Sequence, residues 1–116
     1  MPSRMGVTTD QGLAGKFPCI MKGVTTFLLL NDGSNHESPK FGANTSIIMV
    51  IIASLTASKG VFANIGVDPS TSSAIPSING VMYLPNGTYY FAVNPGELFR
   101  AHQEDGTANV TVIEGA

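Results

Sequence analysis

Histidines and carboxylates are the residues of this chain best suited to acid–base or metal chemistry. His36 stands in an Asn-His-Glu-Ser segment that we expect to be a loop, and His102 stands on a candidate strand. Acidic residues that could join them as ligands are Glu37, Glu97, Glu104 and Asp105. No metal-binding spacing such as His-Glu-x-x-His connects these residues, so we expect no metal site.

A cysteine thiol beside a histidine is the other arrangement that could do chemistry, as a nucleophile. Cys19 lies between Pro18 and Ile20 in an aperiodic segment, where a small buried or inert thiol is the better interpretation. Glycine patterns that bind phosphate or dinucleotides are missing from the sequence. The residues therefore predict a protein that is not an enzyme and has no cofactor.

Three tyrosines stand near the Pro-Asn-Gly turn at residues 85–87, namely Tyr83, Tyr89 and Tyr90. Because Tyr89 and Tyr90 are consecutive on a candidate strand, their side chains must point to opposite faces. One can belong to the core while the other points outward. An outward tyrosine could stack on a sugar ring or pack on a protein partner, and plain packing is the alternative.

Length and charge limit the classes of function. A chain of 116 residues forms one domain, and its net charge of −2 argues against binding of nucleic acid. The most apolar stretch, residues 47–57, is shorter than the ~20 residues of a membrane-spanning helix. Residues 1–6 lack the apolar stretch of a secretory signal, so we expect a soluble protein made in the cytoplasm. Only 12% of residues are charged, against ~25% in ordinary domains, which favours a protein that works inside an assembly.

Short apolar segments alternate with turn signals from Gly23 onward, which predicts an all-β protein. Their number and spacing favour an antiparallel β-sandwich, with a jelly roll as one way to close it. The candidate strands are residues 24–30, 45–57, 61–67, 80–84, 88–94, 98–102 and 108–113.

The turns between these segments suggest how the strands pair. Asn86-Gly87 and Asp105-Gly106 each separate two apolar runs, and such dipeptides predict β-hairpins. Residues 94–97 also fit a helix start, but the short distance to Asp105 favours a turn followed by a strand.

The long strand at 45–57 is apolar on both faces in its first half. In its second half Ala53 and Leu55 alternate with serine and threonine, so we assign their face to the core. The opposite face, with Ile48, Val50 and Ile52, then needs a cover. The edge of the second sheet, the N-terminal segment or a neighbouring subunit could supply it.

Residues 1–22 differ from the domain predicted at 23–116. They carry a net charge of +2 against −4 for the remainder and have no sustained periodicity. We expect an extended N-terminal arm that docks on a partner or a sister subunit, with a frayed terminus as the alternative. Its candidate contact residues are Arg4, Lys16, Phe17 and Ile20.

Several short motifs in residues 61–113 resemble small virion proteins of tailed bacteriophages. These motifs are VFANIG at 61–66, DPST at 68–71, LPNG at 84–87, FAVNPGE at 91–97 and GTANVTV at 106–112. Members of that group are similar to β-sandwich decoration (cement) or head-surface proteins. The resemblance brings no catalytic residues and does not extend to the N-terminal half.

The resemblance implies a structural virion protein that binds the outer surface of the phage capsid and stabilises it by bridging capsid subunits. Its partner would be the major capsid protein, and the expected arrangement is a homotrimer or three copies about a local threefold axis. A host-recognition or carbohydrate-binding module of a phage head or tail is the alternative function.

Overall fold

The computed structural model describes residues 21, 23–55, 60–71, 80–103 and 106–116. Within these residues the chain forms eight β-strands and no helix. The strands are β1 (Thr25–Leu30), β2 (His36–Glu37), β3 (Ile47–Ser54), β4 (Val61–Gly66), β5 (Met82–Leu84), β6 (Gly87–Ala92), β7 (Leu98–His102) and β8 (Ala108–Gly115).

The strands form two antiparallel four-stranded sheets. The first sheet has the order β1-β8-β3-β6 and the second the order β2-β7-β4-β5. Among the seven connections only the one from β4 to β5 stays within a sheet, and the other six cross from one sheet to the other. Eight strands connected in this way form a jelly roll. The predicted all-β antiparallel sandwich is therefore confirmed, and it closes in the jelly-roll way that the sequence left open.

The core lies between the two sheets because each strand turns its alternate apolar side chains inward. Among the described residues, Phe91 on β6 and Phe99 on β7 are the largest fully buried side chains, and they come from opposite sheets. Burying a side chain of this size stabilises the fold by about 1.5–3 kcal/mol relative to leaving it exposed.

Both predicted hairpins are wrong. Residues 85–87 join β5 in the second sheet to β6 in the first, and the chain between β7 and β8 also crosses between sheets. Asn-Gly and Asp-Gly allow a sharp reversal, but a reversal fits an arch between two sheets as well as a hairpin within one. At the first arch, the Asn86 side-chain oxygen accepts a hydrogen bond from the Ser54 amide at the end of β3 (2.7 Å).

Residues 94–97 form a turn that leads directly into β7, as the sequence favoured. The Glu97 carboxylate accepts a hydrogen bond from the Asn94 amide (2.9 Å), and the Glu97 amide donates to the Asn94 carbonyl (3.2 Å). Gly96 has a φ of +83°, a conformation that favours glycine and ends any helical path.

A buried carboxylate at the end of β8 fixes the start of the first sheet. Glu114 accepts hydrogen bonds from the Thr45 hydroxyl (2.6 Å) and the Gly42 amide (3.0 Å). The Gly23 amide donates to the Glu114 carbonyl (2.9 Å), and a Cβ at Gly23 would lie 2.8 Å from the Glu114 Cβ. Only glycine allows the chain to approach β8 this closely at that position.

Candidate functional site

One loop brings together side chains of the types found in a catalytic triad. Between β1 and β2, Nε2 of His36 lies 3.0 Å from Oδ1 of Asp32 and 3.4 Å from the Ser34 hydroxyl. The Ser34 hydroxyl also donates to Oδ1 of Asp32 (2.7 Å). A triad needs the carboxylate and the hydroxyl on different imidazole nitrogens, whereas here both approach Nε2. The group therefore lacks the geometry of a proton relay, and its hydrogen bonds hold the loop together.

The same hydrogen bonds hold the pKa of Asp32 well below its usual range. The bond with His36 has the largest effect, and the hydroxyl and amide of Ser34 add to it. Asp32 and Ser34 are not among the residues that the sequence motifs predict for chemistry. Their spacing of two and four residues from His36 was the signal that could have pointed to this cluster.

The other candidate chemical groups do not assemble into a site within the described residues. His102 is buried and stacks on Phe62 with ring centroids 5.5 Å apart. No group of three histidine, cysteine or acidic side chains close enough to hold a metal ion occurs in the described part of the chain. Cys19, Glu104 and Asp105 lie outside the described residues.

The outer face of the second sheet is partly covered by the chain's own β4–β5 loop. Arg100 on β7 donates to Asp68 Oδ1 (2.9 Å) and to the Pro69 carbonyl (2.8 Å), and it also pairs with Glu37 on β2 (2.9 Å). The hydrogen bond with Asp68 is the main reason that the pKa of Arg100 is raised. The guanidinium therefore ties the loop to two strands.

Asn64 on β4 makes a second tie to the same loop. Its side-chain amide donates to the Ser70 carbonyl (2.8 Å), and the Asn64 side chain is buried although it points outward from the sheet. The Thr71 hydroxyl then donates to the side-chain oxygen of Asn35 in the β1–β2 loop. These contacts give the outward polar groups of the second sheet partners within the chain.

The outer face of the first sheet is different, and we call its outward residues the open face. They are Thr25, Phe27, Leu29, Met49, Ile51, Ala53, Thr88, Tyr90, Asn109, Thr111 and Ile113. None of them is charged. Antiparallel sheets in a sandwich usually turn a polar face to water, so an uncharged, largely apolar face is unusual.

Strand pairing places these side chains in rows across the sheet. Phe27 pairs with Thr111, Thr111 pairs with Ile51 and Ile51 pairs with Thr88, so one row crosses all four strands. Phe27 at the edge is 77% exposed. Leu55, which follows β3, is 70% exposed and extends the apolar surface beyond the strands.

The assignment of the two faces of β3 was reversed in the sequence analysis. Ile48, Val50 and Ile52 are almost completely buried in the core against the second sheet, so they are not available as partner contacts. Protein does cover them, as expected, and the chain itself supplies the cover. The sequence pattern treats Ser54 as a solvent-facing residue and so places its whole face outward. Ser54 lies on the inward side instead, where its hydroxyl accepts a hydrogen bond from the buried Gln103 side chain (3.0 Å).

The three tyrosines do not form one ligand platform. Tyr89 packs against the core, where burial raises the pKa of its hydroxyl, and Tyr90 lies on the open face, so the prediction of opposite faces is confirmed. Tyr83 lies on the second sheet, where its ring packs 5.2 Å from that of Phe62. Its hydroxyl accepts a hydrogen bond from the Gly60 amide (2.7 Å), and the residue is 48% exposed.

The candidate contacts of the N-terminal arm, Arg4, Lys16, Phe17 and Ile20, lie outside the described residues. Comparison of the chain with protein-family models, curated proteins and solved structures gives no match. The described residues contain no helix that is long and apolar enough to span a membrane.

Proposed function

We propose that this protein is a non-enzymatic structural protein of a tailed-bacteriophage virion that binds the outer surface of the capsid. The observation that carries the proposal is the open face, an uncharged and largely apolar sheet surface on a small jelly roll, which suits a subunit that works inside an assembly. Apolar surface of this kind on a soluble domain marks an interaction site. Jelly rolls occur in viral capsid proteins and in lectins, and this support is an analogy of fold.

The mechanism that we propose is bridging of capsid subunits. A filled capsid is under internal pressure from packed DNA, and a domain bound to two or more copies of the major capsid protein opposes their separation. Each contact adds its binding free energy to the stability of the shell. The protein would be made in the bacterial cytoplasm and would remain on the virion surface.

Charge separation along the chain supports a role for the N-terminal arm in this binding. Residues 1–22 carry a net charge of +2, whereas the rest of the chain carries −4. A capsid surface with exposed carboxylates would attract the arm without attracting the sandwich. We therefore propose that Arg4 and Lys16 contact the major capsid protein.

The test is a binding assay on capsid shells of the cognate phage that lack their decoration. The purified protein should bind at a fixed number of copies per shell and raise the temperature at which the shell opens. The Arg4→Ser/Lys16→Ser variant should bind more weakly, with a smaller difference at high salt because exposed charges are screened beyond ~10 Å at 0.1 M. No binding of the wild-type protein to shells would contradict the proposal.

Tyr83 favours carbohydrate binding as a second candidate function. Its ring is fixed by Phe62 and by the hydrogen bond from Gly60, and it is half exposed, so it offers a rigid face on which a sugar could stack. Binding to host surface glycans that Tyr83→Ala abolishes, without binding to shells, would replace the first proposal with this one.

A further inference from the structure

The open face carries no charged side chain that a partner could pair with, whereas charged side chains lie elsewhere on the sandwich. Glu37 and Arg100 lie on the second sheet, and Asp32 and Asp68 lie in loops that connect to it. The outward positions of β1, β3, β6 and β8 hold no charged residue. A partner that is itself charged would gain nothing from this surface and would lose hydration on binding.

The size of the open face is that of a functional patch. Four strands spaced ~4.8 Å apart and six to eight residues long, at ~3.3 Å per residue, give a flat footprint of roughly 400–500 Å². The side chains project from this plane, and Leu55 extends it, so the accessible area is larger. A standard interface buries about 800 Å² on each partner, and the flat footprint of this face alone is about half of that area.

We propose that the open face is the surface through which two copies of this chain associate. An identical copy is the one partner known to offer the same uncharged surface, and two such faces meet without placing like charges opposite each other. The net charge of −4 on residues 23–116 disfavours association through the other, charged surfaces. Packed face to face, two sheets interdigitate at a spacing of ~10 Å and remove Phe27 and Ile51 from water.

The N-terminal arm fits the open face less well. Its cations Arg4 and Lys16 would find no carboxylate among the outward residues of this sheet. The carboxylates of Glu37 and Asp68 belong to the opposite side of the sandwich, where both pair with Arg100. The inference does not depend on the capsid, because it concerns the association of the free protein.

The experiment measures the molar mass of the full-length chain by light scattering after size exclusion, at micromolar concentration. We expect the wild-type protein to have at least twice the mass of one chain. Phe27→Asp and Thr111→Glu each place a charge on the open face at an exposed or already polar position, so the fold should survive. Both variants should have the mass of one chain, about 12 kDa.

Two matched variants test whether a second copy or the N-terminal arm covers the open face. Val67→Asp makes the same kind of change at an exposed position outside the open face, where Val67 follows β4, and it should leave the mass unchanged. Phe17→Ser/Ile20→Ser removes apolar groups from the arm and should also leave the mass unchanged. Far-ultraviolet circular dichroism checks that each variant is folded.

A wild-type protein with the mass of one chain overturns the inference, and so do folded Phe27→Asp and Thr111→Glu variants that keep the wild-type mass. A loss of association in Phe17→Ser/Ile20→Ser overturns it as well, because the arm would then be the occupant. Copies that associate as proposed but do not bind capsid shells would remove the proposed function and leave this inference standing.

Discussion

On the outer side of the second sheet, Asn64 and Arg100 hold residues 68–70 of the β4–β5 loop against the strands. On the outer side of the first sheet, Phe27 and its neighbours on the open face include no charged group, and Phe27 is largely exposed. Both faces belong to the same jelly roll and flank the same core. The second sheet is stabilised from outside by the chain's own polar contacts, whereas the first sheet leaves apolar surface available to another molecule.

This difference separates residues that support the fold from residues that support association. A polar side chain that is buried and hydrogen-bonded within the chain is costly to remove from the monomer. An exposed apolar side chain contributes little to the monomer and much to an interface. Substitutions on the inner face, the second outer face and the open face should therefore have different effects.

The largest effect should come from Val50→Asp, on the inner face of β3. Val50 is fully buried, and an unpaired charge there should cost several kcal/mol and abolish cooperative folding. The neighbouring change Met49→Asp is its control, because Met49 is partly exposed on the open face. Thermal unfolding followed by circular dichroism checks both, and a Val50→Asp variant that unfolds like the wild type would show that the two faces of β3 are wrongly assigned.

A smaller loss should follow from Asn64→Ala on the second outer face. The change removes the hydrogen bond to the Ser70 carbonyl and should lower the free energy of unfolding by about 1–3 kcal/mol. Asn109→Ala on the open face removes the same side chain from an exposed position and should change it by less than about 0.5 kcal/mol. Equal effects of the two changes in urea unfolding would argue against a structural difference between the faces.

Arg100→Ala should have a weaker effect than Asn64→Ala. The carboxylates that the guanidinium contacts are exposed, so we expect a loss of about 1 kcal/mol or less, and a smaller loss at high salt. Arg100→Lys keeps the charge but cannot reach both carboxylates and the Pro69 carbonyl with the same planar group, so it should recover only part of the loss. A loss that does not change with salt would mean that ion pairing is not the cause.

The smallest effect should appear as a pH dependence at Asp32. Its pKa is lowered in the folded protein, so its contribution to stability is present above about pH 4 and is lost as the pH falls below that value. Asp32→Asn removes this contribution, and the variant should therefore lose less stability than the wild type between about pH 4 and pH 2. Parallel pH profiles for the two proteins would show that the hydrogen bonds from His36 and Ser34 do not stabilise the loop.

Strand positions and the class of fold could be predicted from the sequence, because alternating apolar residues and turn dipeptides are local signals. Which strands pair could not be predicted from them. Asn86-Gly87 has the same sequence whether it joins strands of one sheet or of two, and the long-range pairing of β6 with β3 rather than with β5 decides the outcome. The two-residue strand β2 is too short to have a periodic signal.

The candidate surface could be predicted only in part. The sequence indicated that β3 is apolar on both faces. The alternation of Ala53 and Leu55 with polar residues, however, assigned the wrong face of β3 to the core. The inward Ser54 looked like a solvent-facing residue because its partner, Gln103, is distant in sequence. The Arg100 contacts with Glu37 and Asp68 also join segments that are distant in sequence, so no local sequence pattern predicts them.

The most direct test of the account is whether the open face is protected from solvent when copies associate. Cysteine can be placed at Thr111, in the middle of the face, and at Val67 outside it, in both cases with Cys19→Ser. Maleimide should label the Thr111→Cys protein slowly at high protein concentration and faster on dilution, while the Val67→Cys protein is labelled at one rate throughout. Labelling of the Thr111→Cys protein at a rate independent of concentration, under conditions where the chain is associated, would contradict the account.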